Sequence, residues 1–525
     1  MSPQKPANES TKSIIDLKEE RRQFTEIQKR LAPIYQDIFP DRVAPRTVIV
    51  VPSASVDIDV LAKITGIHHY EERMLCLLIL LRMPRTNLIF VTSQPIHDSI
   101  IDYYLHLLPG IPSKHARKRL HLLSCHDASP IPLTQKILER PRLMERIQTL
   151  IDDPKTTHIA VFNSSPLERT LAVKLDVPLY ACDPDLVYWG SKSNSREIFK
   201  EAGVPVPEGF EHLRDEQDLF KGLAILKKQN PELKRAVIKL NDGFSGEGNA
   251  LFDLPDDADK ITESQLVKEI ATKLPTSIRF EAEDETWEPY CQKYRQMGGI
   301  VESWIEGKEK RSPSVQCRID PLGRATIFAT HDQVLGGPSG QVYLGCSFPA
   351  SEAYRMEIQE AGQKIGEVLR QKCILNLMSI DFISVKSGSQ WKHYALEINI
   401  RKGGTTFPYL VLEFLTDGWY DSKTGLFRLQ NDEPRYYYAS DNFQKPRYKG
   451  LTPDDLIDIM VCNQIHFDST TQQGVVFHLM GALSEFGKFG ITCIGEHPDQ
   501  AKALYDVAMS ALDKETGFQN NQPYQ

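Results

Sequence analysis

Several things are missing from this chain of 525 residues, and each absence excludes something. Its nine cysteines (Cys76, Cys125, Cys182, Cys291, Cys317, Cys346, Cys373, Cys462, Cys493) are odd in number and contain no CxxC pair. That excludes a disulfide frame and a Cys-rich zinc site and points to reduced thiols. No long block of basic residues occurs and the net charge is −8, so nothing suggests nucleic acid or an anionic membrane as a partner. The longest lipid-like run, "MLCLLILL" at 74–81, is well short of the ~20 apolar residues of a spanning helix and stops at Arg82. We expect a buried helix there. The start, "MSPQKPANESTKS", has no apolar signal core. These absences together predict a soluble, cytoplasmic protein.

What is present is ordinary globular composition, 41% hydrophobic and 25% charged. After a polar tail and an amphipathic helix (1–40), apolar runs alternate with helical stretches: "TVIVV" at 47–51, "NLIFVTS" at 87–93, "RLHLLSC" at 119–125, "HIAVFNSS" at 158–165 and a short "VPLYAC". This pattern predicts a parallel α/β sheet over 41–186. No GxGxxG follows any of these strands, which argues against a dinucleotide site. Beyond Trp189 the texture changes to a capped helix, a "VPVPEGF" strand and a series of strands and helices to about 408. A tail over 409–525 reads as a small α+β module with the helix "PDQAKALYDVAMSALD".

Three constellations carry chemistry. "KLNDGFSGEGNALFDL" (239–254) sets Lys239 at the end of an apolar strand and follows it with Gly243, Ser245, Gly246 and Gly248 before a second strand. Glycines let backbone N–H groups approach an anion, and a strand-end lysine supplies a point charge. A long hairpin loop with a surface lysine is the plainer alternative. "SIDFISV…HYALEINIR" puts Asp381 on one strand and Glu397 with Asn399 on the next. Residues two apart share a strand face, and two carboxylates with an amide are hard oxygen donors suited to Mg²⁺ shared with phosphates. The alternative is a solvated sheet face. In "IVESWIEGKE", Val301, Trp304 and Ile305 offer an apolar slot for a flat base, Glu302 and nearby backbone its edge, and Glu309 sugar hydroxyls; an ordinary strand and turn fits the same residues.

In order and spacing these pieces resemble the ATP-grasp superfamily of carboxylate–amine ligases, from "WGSKSNSREIFKEAGVPVPEG" (189–209) to "EINIRKGGTTFP" (397–408). The preceding α/β region is similar to the Rossmann-like pre-ATP-grasp domain, and "HDQVLGGPSGQVYLGCSFPA" with the tail resembles relatives of the pheganomycin-type peptide ligase. The resemblance implies an ATP-grasp fold over 187–408, two α+β subdomains gripping ATP. It implies an amide-forming reaction through an acyl phosphate, with ADP and phosphate released. Lys192 and Lys239 would contact phosphates beneath residues 243–248. Glu302, Trp304 and Ile305 would bind adenine and Glu309 the ribose. Asp381, Glu397 and Asn399 would hold two Mg²⁺, with Mn²⁺ as an alternative, and Arg401 would stabilise the transferring phosphoryl group. Relatives carry an arginine two residues before the metal aspartate; here that position is Ser379, and Arg318 is the substitute we expect. Amino-acid or peptide substrates are implied, and a homodimer is left open. A nucleotide-binding regulatory protein without ligation and a small-molecule carboxylate kinase are the competing readings. His331 and Cys346 receive no role, "YYYASD" (436–441) reads as packing, and "GPSG" (337–340) is equally a turn or a substrate-binding loop.

Overall fold

The computed structural model describes residues 14–56, 58–243, 248–256, 260–282, 284–336 and 342–518. Strands β1 (Arg46–Val51), β2 (Thr86–Thr92), β3 (Leu120–Ser124) and β4 (Thr157–Val161) form a parallel sheet in the order β3-β2-β1-β4. All six residues of β1 and all five of β4 are buried, as the continuous apolar runs require of strands covered on both faces. The run "VPLYAC" adds only a bridge between Ile159 and Leu179 instead of a full fifth strand. "MLCLLILL" lies in a helical segment, Ile67–Arg82, whose Met74, Leu75, Leu78 and Leu81 are buried.

The helix Lys192–Glu201 follows, capped by Ser191, whose side chain accepts from Asn194 N. It leads into an antiparallel sheet of β5 (Gly209–Leu213), β6 (Arg235–Leu240), β7 (Asn249–Asp253), β8 (Arg279–Phe280) and β9 (Gly299–Ser303), in the order β5-β9-β6-β7-β8. β6 and β7 are the two strands flanking the glycine loop. Helices Glu216–Gln229 and Glu263–Ser277 cover the sheet, and their Leu223, Leu226, Leu266 and Ile270 meet Ile238 and Phe252 in one core.

The third sheet has eleven strands. Its first part is β10 (Lys310–Arg311), β11 (Pro313–Ile319), β12 (Ala325–Gly336), β13 (Val342–Phe348), β14 (Asn376–Ser387) and β15 (Gln390–Asn399). The tail does not build a sheet of its own. β16 (Trp419–Asp421), β17 (Leu426–Arg428), β18 (Pro434–Gln444), β19 (Gly474–His478) and β20 (Lys488–Gly495) continue the same sheet, because β18 pairs with β13, Phe348 opposite Tyr437. The tail also shares a core with the first domain: Tyr104 Oη donates to Phe477 O at 3.1 Å. This packing brings the segment Ile67–Arg82 against the helix Thr406–Leu415. None of the helices among the described residues is long and apolar enough to cross a membrane, and all nine cysteines are unpaired.

Candidate active site

The cleft is organised by one antiparallel pair. β14 and β15 do pair, with Asp381 opposite Glu397 and Ser379 opposite Asn399. Asn399 Nδ2 donates to Asp381 Oδ2 at 3.1 Å, and Gln333 Nε2 from β12 donates to Asp381 Oδ1 at 2.9 Å. Burial, then the neighbouring charge of Glu397, push the Asp381 carboxyl up to about 7. Burial acts on Glu397 in the same sense, but Lys192, Lys239 and Arg401 together outweigh it and hold that carboxyl below its usual range. Lys192 Nζ lies 2.5 Å from Glu397 Oε2.

Arg401 follows β15 on a turn that is pinned from several sides. Asn376 Nδ2 donates to Ile400 O at 3.0 Å, and Lys402 Nζ donates to Val161 O, at the end of β4, at 2.5 Å. Gln316 binds both Thr405 and Thr406 at 2.8 Å. The Arg401 guanidinium stands 5.9 Å from the Phe162 ring.

Two cavities meet at this wall. One of about 680 Å³ runs from Trp304 and Ile305 past Lys239 to Asp381. The other, about 490 Å³, holds Lys192, Gly243 and Gly248 and reaches Ser55 and Asn163 at the C-terminal ends of the parallel strands. Glu397, Asn399 and Arg401 line both. The ends of the glycine loop approach closely, since a Cβ on Gly248 would stand 3.1 Å from Leu240 Cβ. Ser245 and Gly246 lie outside the described residues, as does "GPSG".

The remaining expectations divide. Glu302 is buried, but both its oxygens are engaged: Arg196 Nη1 donates to Oε2 at 2.9 Å and Lys239 Nζ pairs with Oε1. Neither oxygen is left over to read a base edge, and Trp304 and Ile305 line the cavity next to it. Arg235 and Lys310 sit over the Trp304 ring at 5.0 and 4.5 Å. Val301 points into the subdomain core and not into the slot. Glu309 is off the cavity wall, paired with Lys386 at 3.1 Å; Lys310, Arg311 and Ser312 form the wall there. Arg318 does not join the site either. It pairs across the sheet with Leu377 while Ser314 pairs with Asp381, four residues or about 13 Å along the strand, and it rests on Phe328 at 5.2 Å. His331 is a core residue, its Nε2 2.5 Å from Tyr437 Oη and its ring held neutral by burial at about 3. Burial pushes the Cys346 thiol up to about 12, so it is no nucleophile.

Sequence reading missed Gln333, Tyr70, Arg73 and Asp441, all on the wall of the larger cavity. Alternation along β12 could have found Gln333. Asp441 closes the tyrosine run that reads as packing, and Tyr437 within it is indeed buried.

A family model described as IQCH-like, ATP-grasp matches residues 186–270 and 256–423, and one described as the PGM1 C-terminal domain matches 455–507. An L-propargylglycine--L-glutamate ligase of Streptantibioticus cattleyicolor is 30% identical over 462 residues, covering 86% of this chain and 91% of that protein. The chain belongs to the ATP-grasp carboxylate–amine ligases. IQ motif-containing protein H of Danio rerio is 23% identical to this ligase over 381 residues, 65% of this chain and 36% of that protein. The fold is shared with the biotin carboxylase–β,γ-ATP complex from Campylobacter jejuni, with TM-score 0.54, 13% identity, 91% of this chain and 96% of that one covered. It is shared too with the biotin carboxylase domain of the Hydrogenobacter thermophilus 2-oxoglutarate carboxylase, at TM-score 0.51, 14% identity and 89% of each chain.

Proposed function

We propose that this ligase joins two amino-acid or small peptide substrates by an amide bond formed through an acyl phosphate. The observation that carries the reading is the wall of Glu397, Asn399 and Arg401 shared by both cavities, with Asp381 across the strand pair. The donor set fits a divalent cation. Two half-buried carboxylates face each other, one of them pushed up by its surroundings and then by the other's charge, and an amide adjoins them. Two carboxylates and one amide leave coordination positions for phosphate oxygens, the usual way Mg²⁺ is held with a nucleotide. Asp381, Glu397 and Asn399 would hold one or two such ions, and Mn²⁺ suits the same oxygens.

When bound, Mg²⁺ neutralises phosphate oxygens and draws charge from the γ-phosphorus. The chain's own groups do the rest. Trp304 and Ile305 position the base, while Lys192 and Lys239 neutralise phosphates; the ends of the glycine loop keep water out. A substrate carboxylate oxygen bonds to the γ-phosphorus as its bond to the β,γ-bridging oxygen breaks, and ADP leaves. Arg401 stabilises the charge on the transferring group. The amine then attacks the acyl carbon, the C–O bond to phosphate breaks, and the amine's proton leaves with the phosphate. No nucleophilic side chain is required, in keeping with the inert Cys346 and the neutral His331. The nine unpaired cysteines suit a reducing cytoplasm.

The test is ADP and phosphate release with Mg²⁺-ATP and pairs of amino acids, L-glutamate with small apolar amino acids first because of the Streptantibioticus relative. Release that needs both partners and disappears in Glu397→Gln supports the reading. Release with a single carboxylate and no amide product overturns it in favour of a kinase.

A further inference from the structure

Beside Arg401, the larger cavity has a lobe lined by four separate segments. Tyr70 and Arg73 come from the first domain, Gly403, Gly404 and Thr405 from the turn after β15, and Tyr343 and Asp441 from β13 and β18. Arg73 Nη2 lies 3.0 Å from Asp441 Oδ2, and both side chains are almost wholly buried, 10% and 6% exposed. The Arg73 guanidinium lies 4.1 Å over the Tyr70 ring and 5.9 Å from the Phe407 ring. Tyr70 is held in turn by Lys488, whose Nζ donates to its hydroxyl. Arg73 Nε is buried and has no hydrogen-bond partner among the described residues.

An inter-domain strut is the plain explanation of such a pair, and it is a poor one. A buried ion pair adds stability only when its remaining polar groups are satisfied, and here one donor is not. Nε and Nη2 form a single edge of the guanidinium, the edge that takes a carboxylate side-on with two parallel hydrogen bonds. That edge is occupied at one nitrogen only, by a carboxylate that faces the same cavity. A ligand with one carboxylate and one ammonium would replace this single contact with two.

We propose that the lobe is a clamp for the head group of an α-amino acid, with Arg73 receiving the α-carboxylate and Asp441 the α-ammonium. The clamp rests on the ligase reading above and goes beyond it. Arg401 lines the same cavity as the clamp and the Asp381–Glu397 pair. With both α groups held, the side chain is what extends past Arg401 toward the phosphates. The carboxylate that is phosphorylated is therefore a side-chain carboxylate: its oxygen bonds to the γ-phosphorus, ADP leaves, and the amide that follows is an isopeptide bond. Gly404 keeps the lobe open beside Tyr343, since a Cβ there would stand 2.5 Å from the Tyr343 ring.

The experiment traps the acyl phosphate. The full-length enzyme, Mg²⁺-ATP and hydroxylamine are incubated with L-glutamate or L-aspartate, with their α-amides, and with the corresponding diacids lacking the amino group. Hydroxamates are located by mass spectrometry. The clamp predicts a side-chain hydroxamate and a preference in kcat/KM for the free α-carboxylate over the α-amide of about tenfold or more, the worth of a charged hydrogen bond. Arg73→Gln removes that preference and leaves the KM for ATP unchanged; Asp441→Asn removes the preference for the amino acid over the diacid. A strut would lower stability in both variants and leave both preferences intact. An α-hydroxamate, an indifferent wild-type enzyme, or hydroxamates only from acids without an α-amino group overturn the clamp while the ligase stands. No hydroxamate from any acid and no ADP release overturn the ligase reading itself. The wild-type comparison decides even where a variant fails to fold.

Discussion

Asp381 and Glu397 lie directly opposite each other on β14 and β15, and the Lys192 ammonium reaches Glu397 at 2.5 Å. The pair is costly without a cation, because burial and mutual repulsion push the Asp381 carboxyl up to about 7. Asp381→Asn should therefore separate stability from activity. Turnover should fall by more than about 100-fold, as when a main electrostatic stabiliser of the transition state is removed. The melting temperature of the metal-free protein at pH 8 should stay the same or rise. Steady-state ADP release and a thermal melt check the two halves; loss of stability with activity retained would contradict both.

Glu302 sits between Arg196 and Lys239, fully buried, and pairs with both. Arg196→Ala leaves that carboxylate with one partner and should cost about 3 kcal/mol, as breaking buried ion pairs does. Urea unfolding measures it. Lys239→Ala removes the other partner and should cost a similar amount, with a rise in the KM for ATP besides.

Three fully buried histidines set the acid limit of the fold. Burial holds His331 and His158 at about 3 and His478 at about 4, so all are neutral when folded. The unfolded chain takes up a proton at each near 6.5 and so binds more protons than the folded one below that pH. Stability is fully present above about 6.5 and falls as pH drops toward 3, by up to about 1.4 kcal/mol per pH unit for each histidine. Unfolding free energies at pH 7.5 and 5 should show the slope, and His331→Gln should reduce it by one proton.

The substrate lobe can be closed without touching a charge. Gly404→Ala places a methyl group within contact of the Tyr343 ring and should push that ring toward Arg73 and Asp441. The expected result is a higher KM for the amino-acid substrate with little change in the KM for ATP.

What could be read in the sequence were the features governed by local rules. Period-two alternation placed Glu397 and Asn399 on one face, and the glycine loop between β6 and β7 announced itself by composition. Tertiary pairing lay beyond that reach. Arg318 looked able to replace the arginine absent at Ser379, but the register of β11 against β14 sets it beside Leu377. Glu309 followed the hinge in sequence and yet turned toward Lys386, because β10 pairs with β14 there. Arg73 and Asp441 meet only because β18 extends the central sheet and the first domain packs on it, which no local pattern encodes.

The most direct test of the central claim follows one oxygen atom. A substrate amino acid carrying ¹⁸O in its carboxylates is turned over with Mg²⁺-ATP and an amine partner, and the released phosphate is weighed by mass spectrometry. Transfer through an acyl phosphate predicts one ¹⁸O in the phosphate for each amide formed, with ADP as the nucleotide product. Unlabelled phosphate, or label appearing in AMP, would contradict the account.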